Sequence, residues 1–445
     1  MTSSNSPDHL KYPPLGRASL AVALFVCAML LAFVDKQVMA LLVEPLKQSL
    51  SISDTQIGLL QGVAFSLFSA IAGLPLGRLV DHVNRVRMLI ACILVWSVMT
   101  MLCGFAGGFG VLFAFRVGVG IGEACIYPLL YSIIADLFPR RTRATAMVLF
   151  YLACTVGTNL ALAAAGFVIG VLSRDGGHSI LAGIPYWRVT YFILGAPGPL
   201  LALLIVFLVR EPTRKESVGT AGRADVRAVL EHLWQKRTAF LALITGWALV
   251  VAAANAIIAW YPSVMVRQFG MTAAQAGVRY GIFVAAAAMI AVPISAFIER
   301  RVDPNKLPSF LLCGLLASFV AAFTFPWAGS ANVGLGLIML QYIGFMWIVG
   351  LTPVLLQDIC PNEYRGQIFA IATLCSTIVQ GLTPVVVGFL SDRVVTGEKV
   401  LALSIMYTIV PLLGVVVCLY LSLPRAFAKA RAEMSARATA SFGLT

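Results

Sequence analysis

Twelve long apolar stretches, separated by short connections that hold almost all of the charge, constrain this chain more than any other feature. They run at roughly 18–43, 55–79, 86–106, 109–137, 144–172, 188–209, 238–265, 273–298, 307–328, 333–358, 367–390 and 400–423. A helix needs about 20 mostly apolar residues to cross hydrocarbon. Inside that hydrocarbon every backbone N–H and C=O must be satisfied within the protein. Runs this long predict an all-α integral membrane protein with 12 transmembrane helices. Hydrophobic residues make up 60% of the chain and charged residues 11%, against roughly 25% charged in soluble domains. Soluble enzymes, nucleic-acid binders and disordered proteins are excluded. Local punctuation agrees: Ser53-Asp54-Thr55-Gln56 reads as a capping box opening the second run. Pro139, Pro212, Pro361 and Pro424 read as markers of helix ends.

An even number of spans places both termini on one side, and the basic residues choose it. Connections on the side of the termini carry 23 Lys and Arg, and those opposite carry six. The positive-inside rule then puts both termini in the cytoplasm and explains most of the net charge of +13 without an anionic partner. The expected organisation is a cytoplasmic tail at 1–17, a six-helix half at 18–209, a cytoplasmic linker at 210–237, a second six-helix half at 238–423 and a cytoplasmic tail at 424–445. Residues 1–17 have no cleavage-site pattern, so the first run is expected to stay as a helix. Val226 to Arg237 reads either as a surface-lying amphipathic helix or as a solvated loop.

The two halves echo each other. Asp136-x-x-Pro139-x-x-x-Arg143 follows the fourth run and Asp358-x-x-Pro361-x-x-x-Arg365 follows the tenth, 222 residues later. The same shift takes Val80-Asp81 onto Val302-Asp303. Matching corners at one shift are what duplicated transporter folds show. The nine cysteines form no CxxC pair and read as small buried hydrophobes. The four histidines (9, 82, 178 and 232) fall in polar connections, so neither a metal cluster nor a His relay is expected within the membrane, and no cofactor is implied.

Gly77-Arg-Leu-Val-Asp81-His-Val-Asn-Arg85-Val-Arg87 lies between the second and third runs. It resembles the G-x-L-x-D-R-x-x-R-R loop of the major facilitator superfamily, with His82 where Arg is usual. Arg116-Val-Gly-Val-Gly120-Ile-Gly122 is similar to that superfamily's R-x-x-x-G-x-G pattern. Asp35-Lys36, Gly122-Glu123-Ala124 with Pro128, Asp136-x-x-Pro139, Trp187-Arg188, Gly195-Ala-Pro-Gly198 and Glu211-Pro212 together resemble its spinster-like branch, which usually has Arg where Lys36 stands. The fifth run lacks the Gly-Pro signature of many drug antiporters, which weakens a multidrug-efflux reading. The resemblance implies a major facilitator fold of two six-helix halves in the inner (plasma) membrane of a bacterium. It also implies a cytoplasmic gate. In the resembled fold Asp81 sits at the start of the eleventh span, near Gly366. Independently of the family, Gly77 permits close packing or a turn, an anion such as Asp81 is favoured at a helix N-terminus, and Arg85 and Arg87 can pair with acids such as Asp136. Gly77, Asp81, Arg85, Arg87, Asp136, Arg143, Asp358 and Arg365 are the expected gate residues.

Asp35, Lys36, Arg116, Glu123 and Arg279 lie inside apolar runs. Each costs at least ~2.5 kcal/mol at a helix centre if unpaired, so each is expected to face protein or water. At ~1.5 Å per residue, Asp35 lies about 11 Å and Arg116 about 8 Å from the outer end of their runs, so they can pair if the helices are neighbours. Glu123 lies about 18 Å in, near the bilayer middle. Positions 116, 120, 123 and 127 share one face of a continuous helix. Arg116, Gly120, Glu123 and Tyr127 then form a polar stripe, lining either a central cavity or a purely structural ion-pair cluster. Arg279 can snorkel to the surface. The shift of 222 maps Arg116 and Glu123 onto Ile338 and Phe345, and the tenth run adds Tyr342 and Trp347. A charged wall opposite an aromatic one suits an amphiphile.

The expected activity is secondary active transport by alternating access. Asp35 and Glu123 would carry protons, since a midplane carboxylate loses solvation. Lys36, Arg116 and Tyr127 would meet an anionic head group, with Tyr342, Phe345 and Trp347 against its apolar part. The spinster-like resemblance points to a lysolipid or sphingoid-phosphate type of substrate. The alternatives are a proton-coupled symporter of a small organic anion and, in another class, a non-transporting receptor or sensor, for which the tails leave little room. An enzyme is disfavoured because the runs hold no histidine and no nucleophile with a base nearby in sequence. No GxxxxGK[ST] pattern is present. The expected partners are a small amphiphilic or anionic substrate, protons and membrane lipids, with no nucleic acid, and the chain is expected to act as a monomer.

Overall fold

The computed structural model describes residues 12–80, 82–174, 178–179, 183–214 and 226–442. Apart from a two-residue antiparallel ladder pairing Ser173 with Ser179 and Arg174 with His178, the regular structure is helical. Among the described residues, eleven segments are long and apolar enough to span a membrane. A bent pair, Arg141–Thr158 and Leu160–Leu172 at 46°, makes the twelfth. All twelve coincide with the predicted runs, and the protein is a multi-pass integral membrane protein.

The chain divides into two units, residues 1–52 with 67–219 and residues 53–66 with 220–445. The first contains α1 (Leu15–Leu41), α2 (Val43–Leu50), α4 (Phe68–Val80), α5 (Arg85–Cys103), α6 (Phe109–Glu123), α7 (Ile126–Leu137), α8 (Arg140–Leu172), α9 (Tyr186–Gly195) and α10 (Pro197–Leu208). Its core is built where α1 packs on α8 and α10, and α5 on α6, α9 and α10. Gly122 lies against the backbone of Trp96, and Gly195 and Gly198 against Ser97, so small residues let α5 approach its neighbours closely. The fourth span is broken after Glu123, at Ala124-Cys125, before α7 resumes. The stripe 116–120–123–127 is therefore not one unbroken helix face.

The second unit begins with a borrowed piece. α3 (Asp54–Gln61) and most of a π-helical turn, Val63–Leu67, belong to the second span in sequence but group with α16 (Arg365–Arg393). The rest of this unit is α11 (Val226–Gln235), α12 (Arg237–Phe269), α13 (Ala273–Arg301), α14 (Leu307–Thr324), α15 (Ala331–Asp358) and α17 (Val400–Phe442). The capping box at Ser53 is formed, with Ser53 accepting from the Gln56 N–H and Gln56 accepting from the Ser53 N–H. The Asp54 and Thr55 N–H groups donate to the Asp392 carboxylate at 3.1 and 2.7 Å, and Arg267 grips Asp54 with two bonds of 2.8 Å. A Cβ added to Gly58, Gly62 or Gly388 would run into the backbone of the facing helix.

Two expectations are corrected and one open alternative is resolved. Pro424 does not end a helix, because α17 runs through it to Phe442. A proline removes one backbone bond, but Leu423, Phe427 and Ala430 are buried around it and hold the helix. Cys27, Cys313, Cys375 and Cys418 are exposed rather than buried, since a small weakly polar thiol is at little disadvantage on a lipid-facing surface. Val226–Gln235 is a helix, burying Val229 and His232 while exposing Leu230 and Trp234.

Candidate functional site

α1 and α6 each carry a charge into the apolar layer, and the two charges meet. The Asp35 Oδ2 lies 3.9 Å from the Arg116 Nη1, with both side chains almost wholly buried. Thr100 on α5 donates to the same Oδ2 at 2.9 Å. Lys36 lies within electrostatic reach of Glu123 and Arg116, and Glu123 within reach of Asp35. The result is a set of two carboxylates and two cations on two helices, with Asp35 and Arg116 buried and Lys36 and Glu123 half-buried. Desolvation would make any one of these charges prohibitive alone, so the opposite signs keep the set tolerable. The set is not saturated: Asp35 Oδ1 and Glu123 Oε1 are buried with no hydrogen-bond donor among the described residues. Glu123 is the last residue of α6, at the break in its span. Such breaks are where transporter spans place groups that must meet a ligand or ion.

Sequence reasoning missed two members of this neighbourhood. Thr100 was passed over because a single threonine in an apolar run carries no helical period. Tyr191 on α9 is buried, donates to the Met39 Sδ at 3.0 Å and lies within electrostatic reach of Arg116. Behind the break, the Cys92 and Cys125 thiols touch at 3.3 Å. Tyr127 is half-exposed on α7 and stacks on Tyr131, with ring centroids 6.3 Å apart. Arg279 is exposed near the start of α13.

In the second unit, Tyr342 and Phe345 are buried on α15 and Trp347 is half-buried. Beside them Tyr261 donates to the Gln341 Oε1 at 2.9 Å. The Gln341 Nε2 and Trp347 Nε1 groups are buried donors with no acceptor among the described residues.

The predicted gate residues that the structure describes lie at or near span ends. Arg85 is buried and saturated. It donates to Asp136 at 2.6 Å, to Glu211 at 2.7 Å, to the Ser132 hydroxyl at 2.9 Å and to the Pro212 carbonyl at 2.9 Å. These contacts tie α5, α7 and the segment after α10 together inside the first unit. Glu211 also accepts from the Val86 N–H at 2.8 Å. Arg87 is exposed, and its backbone N–H is capped by Asn84 at 2.8 Å. Asp81 lies outside the described residues. Gly77 sits inside α4, where an added Cβ would meet nothing within 4 Å, so the expected close approach is not made there among the described residues. Arg143 is half-buried near the start of α8. Asp358 pairs with Arg431 at 3.7 Å, and Arg365 donates to the Gln357 carbonyl at 3.2 Å. The 222-residue echo is thus not an echo of contacts. The position matching Arg85 is Leu307, and Arg431 from the end of α17 reaches the second aspartate instead.

Comparison with known proteins follows the same lines. Residues 24–384 match the Major Facilitator Superfamily. The chain is 26% identical to an MFS-type efflux pump of Mycolicibacterium smegmatis, covering 86% of this chain and 87% of that protein. It is 26% identical to human protein spinster homolog 1 over 85% of this chain and 74% of that one. Among solved structures, a bacterial homolog of the human lysosomal transporter spinster, in an inward-facing and unoccupied conformation, superposes with a TM-score of 0.84 at 25% identity. That match covers 94% of this chain and 99% of the other. A D-xylose–proton symporter shares the fold alone, with a TM-score of 0.67 at 17% identity over 88% of this chain and 96% of that one. A charged cluster buried beside a broken span, on a fold of this kind, is the architecture of a transporter and not of an enzyme: the chain belongs to the Major Facilitator Superfamily, as a spinster-like transporter.

Proposed function

We propose that the protein is a proton-coupled secondary transporter for an amphiphile with an anionic head group, of the lysolipid or sphingoid-phosphate type. The observation that carries this reading is the Asp35–Lys36–Arg116–Glu123 set, in which Asp35 and Arg116 are buried and a buried oxygen of each carboxylate has no donor among the described residues. In such a set a proton and an anionic head group compete. The head group draws the cations away from the carboxylates, and a carboxylate that loses its cation in an apolar setting gains affinity for a proton. Arg116 suits a phosphate or carboxylate through its planar fork, and Lys36 supplies a second point charge. Tyr127, on α7 beyond the break, is proposed to meet the head group as well. Tyr342, Phe345 and Trp347 supply apolar area, and the Trp347 and Gln341 N–H groups supply donors for a polar linkage. The kinship with spinster proteins supports a substrate of this class, and Arg85, Asp136, Asp358 and Arg365, with Gly77, Asp81, Arg87 and Arg143, are proposed to control the cytoplasmic entrance. The protein is proposed to lie in a bacterial inner membrane and to act as a monomer. A small organic anion is the second reading, favoured by the pairing of Lys36 with Arg116.

The test is proton movement in liposomes driven by an added lysophospholipid. Wild-type protein should acidify or alkalinise the lumen in step with substrate. The Asp35→Asn, Glu123→Gln double variant should lose that signal while still exchanging labelled substrate. Proton movement equal to wild type would show that neither carboxylate is a carrier. Coupled flux with a short carboxylate, and none with the lysolipid, would favour the second reading.

A further inference from the structure

We propose that the end of the second unit nearest the C-terminus carries a binding site for an anionic phospholipid of the surrounding bilayer, set between the start of α12 and the segment of α17 around Pro424. A cavity of about 550 Å³ opens there. Its wall carries Lys236 and Arg237 from the start of α12 and Arg425 and Lys429 from α17. Four cations face it against one carboxylate, Glu433, and that carboxylate lies 3.9 Å from Lys236. Lys236 also donates to the Ala430 carbonyl at 3.0 Å, which closes the cavity floor and joins the two helices. Arg237, Arg425 and Lys429 are exposed, and among the described residues no carboxylate pairs with them. Positive charges are expected at these span ends for topology alone. Topology does not require them to converge on one concavity from two helices.

The surroundings select a lipid over a soluble anion. Leu421, Arg425 and Lys429 follow at intervals of four on α17, so they share one face and rise about 6 Å per step. Leu421 is 66% exposed and precedes the cations on α17, toward the apolar middle of the last span. On the other flank α11 presents Trp234, 69% exposed, with the Arg237 guanidinium 5.3 Å from its ring centre. An exposed tryptophan beside a cation is the pattern of a membrane-interface anchor. Ser422 and Thr238 add hydroxyls to the wall. The arrangement fits a phospholipid whose phosphate meets Arg237, Arg425 and Lys429 while one chain lies along Leu421. Basic pockets between spans at a leaflet surface recognise anionic head groups in this way. A lipid held there would bridge α12 and α17 where Pro424 interrupts the backbone bonding of α17.

The site is tested on the full-length purified protein by native mass spectrometry after delipidation, with cardiolipin, phosphatidylglycerol, phosphatidylcholine and inorganic phosphate titrated in turn. Wild type should bind cardiolipin and phosphatidylglycerol in preference to phosphatidylcholine. Arg237→Gln, Arg425→Gln, Lys429→Gln should lower the anionic-lipid affinity roughly a hundredfold, from three lost surface cations. Arg300→Gln, Arg301→Gln, at the end of another span on the same face, should leave it unchanged. If the triple variant yields no folded protein, Ala426→Trp, which fills the cavity and keeps every charge, should weaken binding in the same sense. Equal loss in the Arg300 and Arg301 variant, or no loss in the cavity variants, overturns the site. Displacement of the lipid by millimolar inorganic phosphate would make it a free-anion site and overturn the assignment to a lipid.

Discussion

At the scale of single residues, the decisive contacts are those that make charge tolerable in an apolar layer. The counted depths of Asp35 and Arg116 allow them to pair if α1 and α6 are neighbours, and the two do meet. Thr100 was not expected, yet its hydroxyl donates to the Asp35 carboxylate at 2.9 Å. Depth along a helix can be counted from sequence, whereas the rotation that brings Thr100 to face α1 cannot. Replacing Thr100 by Val keeps the shape and removes that donor. An unsatisfied buried charged group costs about 1–3 kcal/mol or more. Thr100→Val should therefore lower the thermal midpoint of the detergent-solubilised protein, and Thr100→Ser should restore it. A Val variant that melts with the wild type would show that Asp35 does not depend on this hydroxyl. Arg85 makes the same point at the membrane surface. Asp136 was anticipated as a partner, but Glu211 came from the opposite end of the first half, 126 residues away.

At the scale of elements, the second span is two pieces with separate loyalties. α3 has its own capping box, which was legible in Ser53-Asp54-Thr55-Gln56. Its attachment to α16 was not legible, because it depends on a second cap supplied by Asp392, 338 residues from Asp54. Glycines make the approach possible: a Cβ on Gly62 would meet the Gly381 carbonyl, whereas one on Gly110 in α6 would meet nothing within 4 Å. Gly62→Ala should destabilise the protein by about 1–3 kcal/mol through forced separation of α3 from α16. Gly110→Ala should be neutral or slightly stabilising. Identical melting of the two variants would be incompatible with this close contact. The fourth span shows the opposite failure of local reading. Its residues have a clean helical period through 127, yet the helix breaks at 124–125, just before Pro128, which has no N–H to donate to the Ala124 carbonyl.

At the scale of the whole molecule, the testable property is the side of the membrane that the termini face. The 23-to-6 division of basic residues predicts cytoplasmic termini. Single cysteines in a background without the exposed native thiols give the check. Glu398→Cys, between α16 and α17, should label with an impermeant maleimide in intact cells. Glu363→Cys, between α15 and α16, should label only after permeabilisation. The reverse pattern would invert the topology and move every proposed gate residue to the outer face.

The amino-acid order by itself determined that this chain is a twelve-span helical membrane protein and, except for the end of the last span, where each span begins and ends to within a few residues. It also singled out Asp35, Arg116 and Glu123 as charges set well inside their spans. These are local properties: hydropathy, helical period and caps act over one to five turns, and the hydrocarbon layer enforces them strictly. Only the tertiary structure decided that Thr100 serves Asp35, that Glu211 completes Arg85, that Arg431 answers Asp358, and that α3 joins α16. Each of those pairs is separated by tens to hundreds of residues. Which helix faces meet is set by packing of the whole bundle, where small residues, bends and broken spans turn faces by amounts that no single-helix period records.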